Sequence, residues 1–267
     1  MESTRQLQSE RLAARAVQLQ AEQASRPGLR CVIRVERTID ALAAARPAFA
    51  SLPEYVPDRS RAIAWNRPHG QSHDLMVVAL GKTGYGKSTT LNRLLGESAF
   101  ETSDISGCTR TLQSVEYRFH ADNDSHYCSF ADLPGLGESS ERDSEYYWLY
   151  RKTLRTAHVV LYFVRADHRD YSVDQRAFAE LVALGGNERK VILVLNAIDK
   201  IEPLNRSLPF ALSREQMNAL SEKIKALRTI FDIPETSIVP ISGAEDYHLN
   251  WLARMIVERL APSLVRM

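Results

Sequence analysis

From residue 74 onward the chain alternates short apolar runs with stretches of helical periodicity. Leu75 to Leu80, Leu112 to Phe119, Tyr127 to Ala131, Val159 to Arg165, Lys190 to Asn196 and Ser237 to Ile241 have the length and β-branched content of strands. Between them, helical patterns fall near Ser88 to Leu95, Ser140 to Thr156, Ser172 to Leu184, Ser213 to Phe231 and Ala244 to Leu260. The second and third strands are separated only by the polar cluster Ala121-Asp122-Asn123-Asp124-Ser125, too short for a crossover helix, so they form an antiparallel hairpin. The pattern predicts an α/β fold: a mostly parallel six-stranded sheet with one antiparallel hairpin strand and helices on both faces. In such a sheet a ligand sits at the carboxyl ends of the strands.

The first seventy-three residues read differently. Glu2 to Ser25 is rich in Gln, Ala, Glu, Arg and Leu without a breaker, which favours a helix that Pro27-Gly28 then ends. A second, shorter helix is predicted from about Val35 to Ala45. Pro47, Pro53, Pro57, Pro68 and Gly70 punctuate a linker-like stretch that closes at His73. The expected division is therefore a helical N-terminal extension and linker over 1–73 and an α/β domain over 74–264. Before residue 71 all eleven basic residues are arginines against seven acidic ones, in a chain whose net charge is only +1. That excess fits a docking surface, and fits equally arginines on solvated helix faces.

The first strand runs into Gly81-Lys82-Thr83-Gly84-Tyr85-Gly86-Lys87-Ser88, which matches the phosphate-binding pattern G-x-x-x-x-G-K-S/T. Glycines let consecutive backbone N–H groups curl around a phosphate chain, and the following helix adds the partial positive charge of its N-terminus. Residues 81 to 89, Thr89 included, are the expected nucleotide contacts. Lys87 neutralises the β and γ phosphates and Ser88 offers its hydroxyl to Mg2+. About 50 residues on, Cys128 to Asp132 ends a strand in a carboxylate and continues as Leu133-Pro134-Gly135, a D-x-x-G signature. Asp132 would hold the Mg2+ water shell and the Gly135 N–H would meet the γ phosphate.

Asn196-Ala197-Ile198-Asp199 fits the guanine-reading form N-x-x-D. A carboxylate in the base plane accepts from guanine N1–H and the exocyclic amine, whereas adenine presents an acceptor there and would leave Asp199 unpaired. Lys is usual at the second position. Ala197 covers less of the base, which predicts weaker base affinity and quicker exchange. Ser242-Gly243, after the last strand, offers backbone N–H groups to the guanine oxygen. Thr109, in Ser106-Gly107-Cys108-Thr109-Arg110, is the expected threonine that closes on Mg2+ and the γ phosphate, with Thr111 as the runner-up.

Near-neutral charge gives no global argument for nucleic acid or acidic lipid. Cys31, Cys108 and Cys128 are widely spaced and form no C-x-x-C pair, which predicts neither a disulfide framework nor zinc and suits the cytoplasm. No apolar run approaches the roughly 18 residues needed to span a bilayer, and the N-terminus is too polar for a secretory signal. His120, His126 and Cys128 are better explained by the hairpin than by a metal. Tyr146, Tyr147, Trp148 and Tyr150 are expected in the core or at a subunit interface.

With GKTGYGKSTT (81–90), GCTRT (107–111), DLPGLGE (132–138) and NAIDK (196–200), the chain resembles the translation-factor-like GTPases of the Era and TrmE type. It is more similar still to bacterial, often prophage-encoded, ribosome-binding-GTPase-like proteins; the form GKTGxGKS also looks like the septin-related and immunity-associated GTPases, which pair across their nucleotide faces. The likeness covers about residues 74 to 264. It implies a GTP/GDP switch with Mg2+, a possible homodimer through the nucleotide face or the N-terminal helices, and the ribosome or RNA as partners by family label alone. Two positions depart from the pattern. Ras-like members carry a water-orienting Gln where this chain has Leu136, and TrmE-type members bind potassium partly through an Asn where this chain has Gly84. Hydrolysis would then draw on Glu138, Arg110, Ser139 to Asp143, or a second subunit, and be slow. A GTP-binding assembly module with little hydrolysis is the alternative that Leu136 favours, and an ATPase or small-molecule kinase is the one that Asp199 opposes.

Overall fold

The computed structural model describes residues 34–57, 74–102, 113–121, 124–135, 149–151, 153–183, 190–204 and 207–266. The six expected strands form one sheet: β3 (Asp74–Gly81), β4 (Gln113–Ala121), β5 (Asp124–Asp132), β6 (Val159–Arg165), β7 (Val191–Asn196) and β8 (Ile238–Pro240). A further strand, β1 (Arg34–Thr38), lies on the edge, giving the order β1-β4-β5-β3-β6-β7-β8. Within this sheet only β4 and β5 run antiparallel, as the short polar turn requires, and its other neighbouring pairs are parallel.

Alternation along β3 sorts the core into two layers. Leu75, Val77 and Ala79 face a layer built from α1 (Ile39–Ala45), the 3-10 helix Pro47–Glu54, α2 (Lys87–Leu95) and α5 (Leu249–Leu260). Met76, Val78 and Leu80 face the other, built from Leu149, Tyr150 and Leu154, α3 (Ser172–Ala183) and α4 (Arg214–Phe231). A strand that is buried on both sides carries apolar residues at every position, which is why β3 reads as a continuous hydrophobic run. α4 starts at a capping box in which Ser213 and Gln216 exchange side-chain and backbone hydrogen bonds.

Three expectations are corrected. The helix predicted over Val35 to Ala45 is a strand through Thr38 and a helix only from Ile39. Val35 and Thr38 are β-branched, and the outer edge of β4 offers parallel backbone partners that outweigh local helix propensity. The stretch read as linker from Pro47 is ordered through Pro57: its 3-10 helix buries Phe49 and Leu52 in the same core as β3, and β2 (Tyr55–Pro57) pairs with β9 (Leu264–Arg266). The last helix begins at Leu249 rather than Ala244, because residues 242–247 form a turn closed by hydrogen bonds between Ser242 and Tyr247. The helix expected over Glu2 to Ser25 lies outside the described residues.

Candidate functional site

The carboxyl ends of β3, β5, β6 and β7 and the turn after β8 meet at one edge of the sheet. At the end of β3, Gly81, Gly84 and Gly86 have φ of 139°, 78° and 80°, values that a side chain resists. Two of these glycines are also crowded: a Cβ on Gly81 would lie 2.6 Å from the Phe163 carbonyl oxygen, and one on Gly86 would lie 2.4 Å from Asn196 Nδ2. Gly86 caps α2, so Lys87 and Ser88 open that helix with its N-terminal N–H groups pointing out of the sheet edge. Lys87 is buried, and its ammonium donates to the carbonyls of Gly81 and Lys82, at 3.1 Å each, folding back over its own loop. The Ser88 hydroxyl donates to Asp132 at the end of β5.

A second set of contacts holds the loop from beneath. Lys82 pairs with Asp174 at 2.9 Å, and the Tyr85 hydroxyl donates to the same carboxylate oxygen at 3.2 Å. Asp174 is fully buried in the first turn of α3. A phenol has one proton, so Tyr85 accepts from His168 Nδ1–H, 3.1 Å away. Burial, reinforced by the Asp174 charge, pushes the Tyr85 hydroxyl above the ordinary tyrosine range, which keeps it a donor. Arg165, at the end of β6, is gripped by both oxygens of Asp167 and donates to the Gly84 carbonyl at 3.1 Å.

At the other end, Asn196 bridges two loops: its Nδ2 donates to the Tyr85 carbonyl at 2.9 Å and its Oδ1 accepts from the Gly243 N–H at 3.0 Å. Asp199 Oδ1 accepts from the Ser242 hydroxyl at 2.7 Å, and Lys200 lies 3.3 Å from the other oxygen. Gly243 packs so closely on α2 that a Cβ would fall 2.3 Å from Thr90 Oγ1. Gly135 abuts Thr83 in the same way, 2.0 Å from its hydroxyl oxygen to the position of a Cβ, and Tyr150 steadies the preceding Pro134 by donating to its carbonyl at 3.0 Å.

The expected residues of the phosphate loop, Asp132, Gly135, Asn196, Asp199, Ser242 and Gly243 thus converge. Thr89 stands apart, on the exposed flank of α2 in a groove with Arg46 and Arg93. Thr109, Arg110, Thr111, Leu136, Glu138 and Ser139 to Asp143 lie outside the described residues. Asp174, His168 and Arg165 were not anticipated. An acid in the first turn of a helix is explained locally by the helix dipole, so Asp174 carried no sign of its partners 92 and 89 residues away.

Comparison with known proteins gives this arrangement a family. The Escherichia coli K12 proteins YfjP and YkfA are 30% and 31% identical over 219 residues, spanning 82% of this chain and 71% of each of theirs. The family described as 50S ribosome-binding GTPase matches residues 76–197. The chain belongs to the P-loop GTPases. This GTPase binds and hydrolyses GTP. Its fold is similar to that of Era from Aquifex aeolicus bound to GDP and AlF4−, with 25% identity and a TM-score of 0.53 over 70% of this chain and 56% of that one. It is also similar in fold to Toc33 from Arabidopsis thaliana in complex with Mg2+ and GMPPNP, at 22% identity and a TM-score of 0.50 over 73% of this chain and 89% of that one. No helix among the described residues of this GTPase is long and apolar enough to cross a membrane.

Proposed function

We propose that this GTPase is a Mg2+-dependent switch with slow intrinsic turnover, completed by a second copy or a partner. The observation that carries the reading is the hydrogen bond between Ser88 and Asp132, which joins the first turn of the phosphate-loop helix to the D-x-x-G strand end. A hydroxyl and a carboxylate are the hard oxygen donors that Mg2+ takes when phosphates and waters complete its octahedron. Bound there, Mg2+ would neutralise charge on the β and γ phosphates.

Lys87 and the backbone N–H groups of residues 83 to 88 cradle the phosphates. Gly135 meets the γ phosphate through its N–H, and Thr109 closes over it from the segment after α2. Because Gly135 abuts Thr83, the position of the D-x-x-G turn depends on what the phosphate loop holds. Asp199 reads guanine N1–H and the exocyclic amine, with Ser242 orienting the carboxylate; Asn196 keeps the base-reading and phosphate-binding loops in fixed relation. Leu136 has no polar atom with which to orient the attacking water. Gly84 stands where a potassium-binding Asn would be needed, which supports a potassium-independent route. The water-orienting group then comes from another part of the chain, with Glu138 and Arg110 as candidates, or from a second subunit across the nucleotide face. Contact with the ribosome or RNA is carried by the family description alone.

Turnover of GTP and ATP, measured from nanomolar to tens of micromolar protein with Mg2+ or excess EDTA, tests the proposal. GTP alone should be hydrolysed, EDTA should abolish turnover, and activity per molecule should rise with protein concentration or on adding a partner. Fast, concentration-independent turnover or strong stimulation by potassium would overturn it.

A further inference from the structure

We propose that Arg46, in the segment before the phosphate loop, is a positioning residue for guanine recognition: it pins the Ser242–Tyr247 turn to the last turn of α2 and thereby orients Asp199. The inference rests on Asp199 being the base-reading carboxylate.

Arg46 follows α1 directly and is 8% exposed. One guanidinium nitrogen, Nη2, donates both to the Arg93 carbonyl at 2.8 Å and to Asp246 Oδ1. Arg93 lies in the last turn of the helix that begins with Lys87, and Asp246 lies in the turn that carries Ser242 and Gly243. That turn is closed by backbone hydrogen bonds of 3.2 and 3.0 Å between Ser242 and Tyr247. Within it, the Ser242 hydroxyl oxygen accepts from the Glu245 N–H at 3.2 Å and donates to Asp199 at 2.7 Å. A continuous set of polar contacts therefore runs from Arg46 through Asp246 and the turn to the carboxylate that reads the base.

The anchor is packed into the core, and the anchored end is half-exposed. Ile39 and Leu42 seat α1 in the core, and Ala45 sits against Gly96 so closely that a Cβ on that glycine would lie 2.7 Å from the alanine Cβ. Asp246, by contrast, has a side chain 45% exposed and a φ of 55°, a left-handed conformation that costs a non-glycine residue free energy. Without Arg46 the side chain turns to water and the backbone is released toward ordinary φ. Among the described residues the buried Arg46 Nε has no hydrogen-bond partner, a cost that fits a geometric role better than a purely stabilising one. Because Arg46 belongs to the segment preceding the phosphate loop, displacement of that segment would loosen the guanine-reading loop.

The test uses the full chain and the variants R46M, R46K, D246N, R46M/D246N and D199N. Release of fluorescent GDP is followed by stopped flow, and the GTP-to-ITP affinity ratio by competition, since inosine lacks the exocyclic amine that Asp199 also contacts. R46M should speed release about tenfold, comparable to losing one charge-assisted contact, D246N, whose amide oxygen remains a weaker acceptor, should speed it by a smaller factor, and both should lower the GTP-to-ITP ratio. The double variant should be no faster than the faster single one, and R46K should recover part of the effect. A merely stabilising Arg46 would lower the unfolding temperature and leave the ratio unchanged. An unchanged ratio in R46M and D246N, or effects that multiply, overturns the coupling; D246N, altering a half-exposed side chain, keeps the test decisive if R46M does not fold. If D199N retains GTP affinity, the base-reading assignment falls and the coupling with it. If D199N loses affinity while the other variants do not, only the coupling falls.

Discussion

Beneath the phosphate loop the Lys82–Asp174 pair is buried unequally, and the inequality predicts which half the fold cannot lose. Asp174 is fully buried, while the Lys82 side chain is 22% exposed. One Asp174 oxygen receives both Lys82 and Tyr85, and the other has no hydrogen-bond partner among the described residues, so the carboxylate depends on the ammonium for its compensation. Lys82→Met keeps the apolar stem and strands a buried charge. Removing one partner from such a pair costs about 3–5 kcal/mol, and the remaining Tyr85 bond puts this case near 3 kcal/mol. Asp174→Asn is isosteric, its amide oxygen still accepts from Tyr85, and the freed ammonium reaches water, so the loss should be about 1 kcal/mol. The double variant should be more stable than Lys82→Met alone, since a neutral amide needs no cation. Urea unfolding followed by circular dichroism without nucleotide reads these differences as shifts in midpoint at constant slope. Asp174→Asn costing as much as Lys82→Met, or a double variant no better than that single one, would refute the reasoning.

Asp199→Asn should cost several kcal/mol in GTP affinity, because it sets a donor amide opposite guanine donors, and should bind XTP better than the parent does; retained GTP affinity or parental preference for ATP would remove Asp199 as the base reader. Lys87→Ala should abolish measurable GTP binding while leaving the circular dichroism spectrum intact, and unchanged affinity would end the assignment of the phosphate cradle. Burial, then the charge of Lys190, hold His158 down from 6.5 to about 4, and its Nδ1 accepts the Met76 N–H at 3.0 Å. The folded value lies below the unfolded one, so this contribution is full above pH 6.5 and fades as pH falls toward 4, by up to about 3 kcal/mol; His158→Asn should show a shallower fall in urea midpoint over that window, and parallel falls would count against it.

What the sequence determined by itself is the chemistry that short spacings encode. Gly81, Gly84 and Gly86 stand where positive φ or close backbone approach is needed, and Lys87-Ser88 at the following helix start requires no distant information. The hairpin of β4 and β5 was equally readable, because a mostly polar connection of five residues cannot hold a crossover helix. Continuous apolar runs in β3, β6 and β7 announced strands covered on both faces. Only the tertiary structure decided what lies across the chain from these elements. Val35 to Thr38 sit beside alanine-rich helical sequence, yet they form a strand because β4, about 80 residues later, presents an open edge. Phe49 and Leu52 fall in a proline-punctuated stretch that reads as linker, and their burial follows from the space between α1 and α5. Lys82 meets Asp174 and Arg46 meets Asp246 across 92 and 200 residues. Periodicity, capping and turn preference act over a few neighbouring residues, whereas the partner of a charge is set by strand order and helix docking, which bring distant segments to one end of the sheet.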